Sequence, residues 1–120
     1  MSRVVTYANN NYQCFCQIEL DNGERILISI AALPIPSIKI MELSRSGWWP
    51  RRTVWEYDSK IAGGEENYAR DLFEMFDGSV DGTFKHPLDI LRDRFLTCRS
   101  ISDIKNSISN AEQKKPATPR

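Results

Sequence analysis

The sequence has little of the chemistry that most often reveals a function: one histidine, three cysteines and no net charge in 120 residues. An odd number of cysteines does not fit a framework of paired disulfides, and a chain with enough apolar residues for its own core does not need one. Zero net charge gives no electrostatic attraction of the kind that phosphate backbones demand. These absences argue against a disulfide scaffold and weaken the case for nucleic acid.

Long apolar runs are also absent. No window approaches the ~18 apolar residues of a membrane span, and residues 1–11 contain no apolar segment of a signal peptide. The longest apolar stretch, residues 26–40, is interrupted by Pro34, Pro36 and polar side chains. We therefore predict a cytoplasmic protein with free thiols and no membrane partner, and leave its oligomeric state open.

Catalytic motifs are missing as well. The chain has no Gly-x-Ser-x-Gly elbow, no glycine-rich phosphate loop and no paired-histidine metal motif. The only histidine, His86, directly precedes Pro87, where a helix N-cap is expected. Carboxylate pairs such as Glu56 and Asp58 lie among many other acids and are better explained as solvated charge. We predict no catalytic residues, no cofactor and no enzymatic activity.

The histidine and the cysteines suit zinc in kind and number, the set being Cys14, Cys16, His86 and Cys98. Their spacing lacks the two-residue knuckles of structural zinc sites. Cys14 and Cys16 instead alternate with Ile18 on one face of a predicted strand, as small core side chains do. We predict buried thiols and no metal site.

Residues 77–84 resemble the first eight positions of an EF-hand loop, with Asp77, Ser79 and Asp81 at ligand positions. The resemblance breaks further on, because Leu88 occupies the position of the bidentate glutamate. Asp-Gly pairs are ordinary turn formers. The segment is therefore predicted to be a plain connection between two helices.

Two alternating apolar runs flank the turn residues 21–23 and predict a β-hairpin. A two-residue loop would pair Leu20 with Arg25 and mix the two faces of the strands. A three-residue loop with Gly23 in the left-handed conformation keeps the apolar face intact, so we predict that register. Its pairs are Ile18 with Ile26, Cys16 with Ile28, Cys14 with Ile30, and Glu19 with Arg25.

The remaining patterns predict an α+β fold, with strands in the N-terminal half and helices after them. Alternation marks further strands at residues 4–8, 37–43 and 53–57. Beyond Gly64 the period becomes helical, with helices predicted over 65–76, from Pro87 and after the N-cap Ser100. We predict a four- to five-stranded, mainly antiparallel sheet, or a curled small barrel, followed by two or three helices that pack on it.

Isoleucine, leucine, valine and phenylalanine make up about a quarter of the chain, above the roughly 20% that a folded core requires. We therefore predict one domain over residues 1–110. Residues 111–120 have nothing to bury and are predicted to form a disordered polar tail.

The most informative stretch is residues 45–52, which place two tryptophans and three arginines in a predicted connection between strands. Large aromatic side chains are unusual in surface loops unless they pack back or bind something. Arginine with tryptophan is typical of interface hot spots and of platforms for single-stranded nucleic acid. The alternative is that one or both rings seal the open end of the core. The candidate binding residues are Arg45, Trp48, Trp49, Arg51, Arg52 and Trp55.

No acid lies between Glu42 and Glu56 to neutralise these arginines. We expect any neutralising partner in the acidic segment 65–81, which would make the loop a structural clasp. Our leading hypothesis is a small non-enzymatic interaction or regulatory module that binds another protein through the loop. A nucleic-acid-binding protein using the same residues is the alternative, and a small enzyme with a site around His86 ranks third.

Overall fold

Five antiparallel strands form an open sheet in the computed structural model, which describes residues 1–32, 34–76, 79–80 and 83–114. The strands are β1 (Arg3–Asn9), β2 (Cys14–Glu19), β3 (Arg25–Ala31), β4 (Ser37–Leu43) and β5 (Pro50–Asp58). Each strand pairs with its neighbour in the chain, so β1 and β5 are the two edges. The predicted antiparallel sheet is confirmed, in its open form and not as a closed barrel.

The β2–β3 hairpin has the predicted register. The observed pairs include Cys16 with Ile28, Ile18 with Ile26, and Glu19 with Arg25. Gly23 has a φ of 90°, the left-handed conformation that glycine adopts without strain. The ladder begins at Phe15, so the predicted pair of Cys14 and Ile30 lies one step beyond it.

In the part of the chain that the structure describes, four helices and one short hairpin follow the sheet. The elements are α1 (Ser59–Ala62), α2 (Glu65–Phe76), β6 (Ser79–Val80), β7 (Thr83–Phe84), α3 (Pro87–Phe95) and α4 (Ile101–Gln113). The sequence analysis missed α1, a single turn that Asp58 caps at its start and Gly63 at its end. No helix in the described ranges has the length and apolar character needed to cross a membrane.

Side chains cap the last two helices as the sequence predicts. His86 Nδ1 accepts a hydrogen bond from the backbone N–H of Leu88 at 3.1 Å, and Pro87 is the first residue of α3. Ser100 Oγ accepts a hydrogen bond from the N–H of Asp103 at 3.2 Å. The only histidine of the chain is therefore held in a structural role.

The last helix extends past the predicted end of the domain. The sequence predicts a disordered tail from Ala111, but α4 runs beyond that point and Ala111 is buried. Ala111 continues the apolar stripe of Ile104 and Ile108, at the spacing that keeps one helix face toward the core. Residues 111–113 therefore belong to the helix, and residues 115–120 lie outside the described part of the chain.

The core lies between the helices and one face of the sheet. The inner face contributes fully buried side chains, namely Cys16, Ile18, Ile26, Ile28, Ile38 and Ile40. The helices add Leu72, Leu88, Leu91, Phe95 and Ile104. Phe15, Leu27 and Met41 alternate with the inner residues, so they lie on the opposite face, where they are half-buried and outside this core.

Candidate interaction site

The segment between β4 and β5 is a hydrogen-bonded loop. Ser44 and Trp49 close it, since the N–H of Ser44 donates to the carbonyl oxygen of Trp49 at 2.8 Å. Gly47 N–H donates to the carbonyl oxygen of Ser44, also at 2.8 Å, and the hydroxyls of Ser44 and Ser46 lie 2.8 Å apart. These bonds hold the loop in one conformation and so place the two tryptophans at its end.

The loop folds back over the helix-free face of the sheet. Gly47 has a φ of 79°, and a Cβ atom there would lie 2.6 Å from Arg25 Nη1 and 2.6 Å from Gln17 Nε2. Leu43, beside the loop, is buried although it is outside the main core. The left-handed backbone and the close approach both favour glycine, which lets the loop lie over the side chains of Arg25 and Gln17.

Trp48 and Trp49 point into solvent. Trp48 is 80% exposed and Trp49 is 73% exposed. The interpretation in which either ring seals the open end of the core is therefore wrong. Two adjacent indoles left in water forgo hydrophobic stabilisation that a binding partner can supply.

Trp55, the third candidate tryptophan, packs on the inner side of the sheet. Its ring stacks on Tyr57 with centroids 5.4 Å apart and meets the edge of Phe76 at 5.8 Å. Its Nε1–H donates to Glu112 Oε1 at 2.8 Å. Trp55 thus joins β5 to α2 and α4, and the structure does not bring it together with the loop tryptophans.

Arg51 and Arg52 share one carboxylate, that of Glu42. Arg51 Nη1 lies 3.6 Å from Glu42 Oε2, and Arg52 Nε lies 3.2 Å from Glu42 Oε1. A β-bulge at this point of the β4–β5 ladder brings both arginines to one carboxylate, whereas a regular strand would direct consecutive side chains to opposite faces. The expectation of a partner in residues 65–81 is corrected: the described ion pairs of both arginines are made across the strand pair.

Arg45 reaches the β2–β3 turn instead. Its guanidinium lies beside Gly23: a Cβ atom placed on that glycine would be 2.9 Å from Arg45 Nη1. A hydrogen bond from Asn22 lowers the pKa of Glu24, and the positive charge of Arg45 adds to this lowering. Glu24 also accepts a hydrogen bond from the N–H of Ile101 at 3.1 Å. The arginines therefore occupy two places, a pair at the bulge and a single one at the turn.

The thiols lie in apolar surroundings. Cys16 and Cys98 are buried, and Cys14 is half-buried where full burial was predicted, because it begins β2. Burial raises the pKa of Cys16 to about 11, which keeps the thiol protonated and a poor nucleophile or metal ligand. Across the described ranges no three histidine, cysteine or acidic side chains are grouped to hold a metal ion. Asp77 and Asp81 of the calcium-like segment lie outside those ranges, so that interpretation stays a prediction.

Sequence analysis missed Glu42 as part of the site. An antiparallel hairpin brings together residues equally distant from its turn, so pairing about Gly47 would have indicated the region. The bulge then shifts the register, and residue types alone do not reveal it. Tyr12 was also missed as an exposed aromatic side chain, in the loop between β1 and β2.

The protein is thus an α+β domain. Helices cover one face of its sheet, and a loop that carries two tryptophans lies over the other face. Comparisons with protein-family models, with curated proteins and with solved structures find no match for the chain. The site itself is therefore the basis on which a function is proposed.

Proposed function

We propose that the protein is a small interaction module, without chemistry of its own, that binds another protein through Trp48 and Trp49. The observation that carries the proposal is the exposure of both indoles on a loop whose backbone is hydrogen-bonded into place. A mobile loop loses conformational entropy on binding, whereas a preformed loop loses little. Tryptophan is also among the residues most enriched at the energetic centres of protein interfaces.

The neighbouring arginines supply the polar surroundings that such a centre needs. Arg51 follows Trp49 by two residues, so their Cα atoms lie no more than about 7 Å apart. Protein interfaces commonly combine an aromatic centre with a polar rim, and arginine is enriched in them. Trp55 is left out of the proposed surface because its ring and its N–H are already engaged within the fold.

The test compares Trp48→Ala and Trp49→Ala with Tyr12→Ala, a change at an exposed aromatic ring in another loop. Partners retained from a cell extract by the whole chain are identified by mass spectrometry, and the affinity of the recovered partner is then measured by calorimetry. We expect each tryptophan substitution to weaken binding by about 30-fold, as at an interface hot spot, and Tyr12→Ala to leave it unchanged. A partner that binds all three variants like the original chain contradicts the proposal.

A nucleic-acid partner would behave differently in the same assay. Its affinity would fall steeply as the salt concentration rises, because phosphate contacts release bound counterions. A flat salt dependence, or no gel shift at micromolar protein, removes that alternative.

A further inference from the structure

The two arginines at the β5 bulge carry more positive charge than their contacts neutralise. Among the described residues, Glu42 is the only acid that forms an ion pair with either Arg51 or Arg52. Both guanidinium groups share this one carboxylate, although each has five N–H donors. The side chains of Arg51 and Arg52 are 55% and 59% exposed, so donors remain available to a ligand.

Glu42 holds the two guanidinium groups beside one another. Its side chain is only 12% exposed, and each of its oxygens faces one arginine. The bulge brings the backbone attachment points of Arg51 and Arg52 to the same side of β5. A preformed pair of guanidinium groups suits a carboxylate, since their planar donor groups match its two oxygens.

We infer that the protein partner presents an acidic side chain to Arg51 and Arg52, next to an apolar group that contacts the loop tryptophans. This inference rests on the proposed function and names the chemistry of the partner. Two arginines and one carboxylate leave a single excess positive charge, which one carboxylate of the partner neutralises. A nucleic acid draws its affinity from many phosphate contacts, and Glu42 lowers the potential that phosphates would meet here.

A strand of another chain fits this edge of the sheet less well. Addition of an extra strand is hindered by Pro50, which has no N–H donor, and by the two irregularities in the β4–β5 ladder. Recognition of an acidic side chain avoids both difficulties.

The first test selects binders to the whole chain from a phage-displayed library of random peptides about ten residues long. We expect the selected peptides to be enriched in aspartate and glutamate over lysine and arginine, with an aromatic or aliphatic residue nearby. Selected peptides of neutral or basic composition overturn the inference, and so does a selection that enriches no peptide.

The second test measures the affinity of a selected peptide for Arg51→Gln and Arg52→Gln. The matched control is Arg3→Gln, because Arg3 is an exposed arginine on the opposite edge strand and pairs with Glu19 at 3.1 Å. We expect about a tenfold loss for each bulge variant, from the loss of a charge-assisted contact, and none for the control. Arg51→Gln leaves the Arg52–Glu42 pair intact. If Arg52→Gln does not fold, the affinity of the peptide for Arg51→Gln alone tests the inference. Equal effects at Arg51 and Arg3 overturn the inference.

The same peptide and variants separate failure of the inference from failure of the proposed function. If Trp48→Ala and Trp49→Ala abolish binding while Arg51→Gln does not, the tryptophan loop binds a partner that is not acidic, and only the inference falls. If Arg51→Gln weakens binding while both tryptophan variants bind normally, the proposed function falls and the inference falls with it. A labelled oligothymidylate that binds as tightly as the peptide also overturns the inference.

Discussion

Trp48 and Trp49 lie a few residues from Trp55 in the chain, but their surroundings differ. The ring of Trp55 is covered by Tyr57 and Phe76, and its N–H finds an acceptor on α4. The loop rings are both mostly exposed.

The comparison teaches that the type of side chain does not decide its burial. An indole needs apolar cover for its ring and an acceptor for its N–H, and both are supplied only where the helices pack. Trp55 is therefore engaged within the fold, whereas the loop tryptophans stay exposed. Four predictions test this division between the helix-covered side and the loop.

The largest effect is expected at Trp55. Trp55→Ala should lower the free energy of unfolding by about 3 kcal/mol, because it empties a half-buried site and leaves Glu112 without its donor. Urea denaturation followed by circular dichroism measures the loss. A change within about 0.5 kcal/mol of the original chain would show that Trp55 stabilises the fold no more than a surface residue does.

Gly47→Ala, a substitution within the loop, should lower the free energy of unfolding by a smaller amount. We expect a loss of about 1–2 kcal/mol, since alanine at this φ is strained and its Cβ would crowd Arg25 and Gln17. Gly23→Ala is the matched control, with a similar φ and a single close contact to a flexible arginine. Equal losses at the two glycines, from urea denaturation, would mean that contact with the sheet does not hold the loop.

The buried thiol of Cys16 predicts a dependence on alkaline pH that the loop does not share. Its folded pKa of about 11 lies above the ordinary 9.0, so the folded state retains the proton more tightly. The resulting stability is fully present below pH 9 and is lost as the pH rises through about 11. Between about pH 8 and pH 10 the original chain should lose about 1 kcal/mol more than Cys16→Ala does. Parallel urea curves for both proteins at the two pH values would contradict burial of this thiol.

The smallest effect on stability is expected in the loop itself. Trp48→Ala and Trp49→Ala should each change the free energy of unfolding by less than about 0.5 kcal/mol, because exposed side chains give up little on truncation. Fluorescence adds a second measurement: Trp48→Phe combined with Trp49→Phe leaves Trp55 as the only tryptophan, and this variant should emit at shorter wavelength than the original chain. Emission that stays at the wavelength of the original chain would place Trp55 in water as well.

The strands and caps could be predicted because their signals are local. Alternation around Gly23 allows one register that keeps Ile18 and Ile26 on the same face, and the structure has it. Ser100 is a helix cap for reasons contained in its own side chain and the next three residues. α1 was missed because a single turn has no apolar period to detect, although Asp58 and Gly63 mark its ends.

The candidate site could be predicted only in part. Composition singled out the stretch from Arg45 to Arg52, but Glu42 joined it through a bulge, which has no signature in residue types. The sequence also grouped Trp55 with the loop, because closeness in the chain is all that a sequence displays.

The sequence by itself determined the strand order of the hairpin, its register, the helix starts and the presence of an aromatic and basic loop. Each of these features depends on residues that lie close together in the sequence. The tertiary structure alone decided which tryptophan is covered and which is exposed. That outcome depends on contacts such as the one from Trp55 to Glu112, between residues far apart in the chain, and on the helices that share one core with the inner face of the sheet.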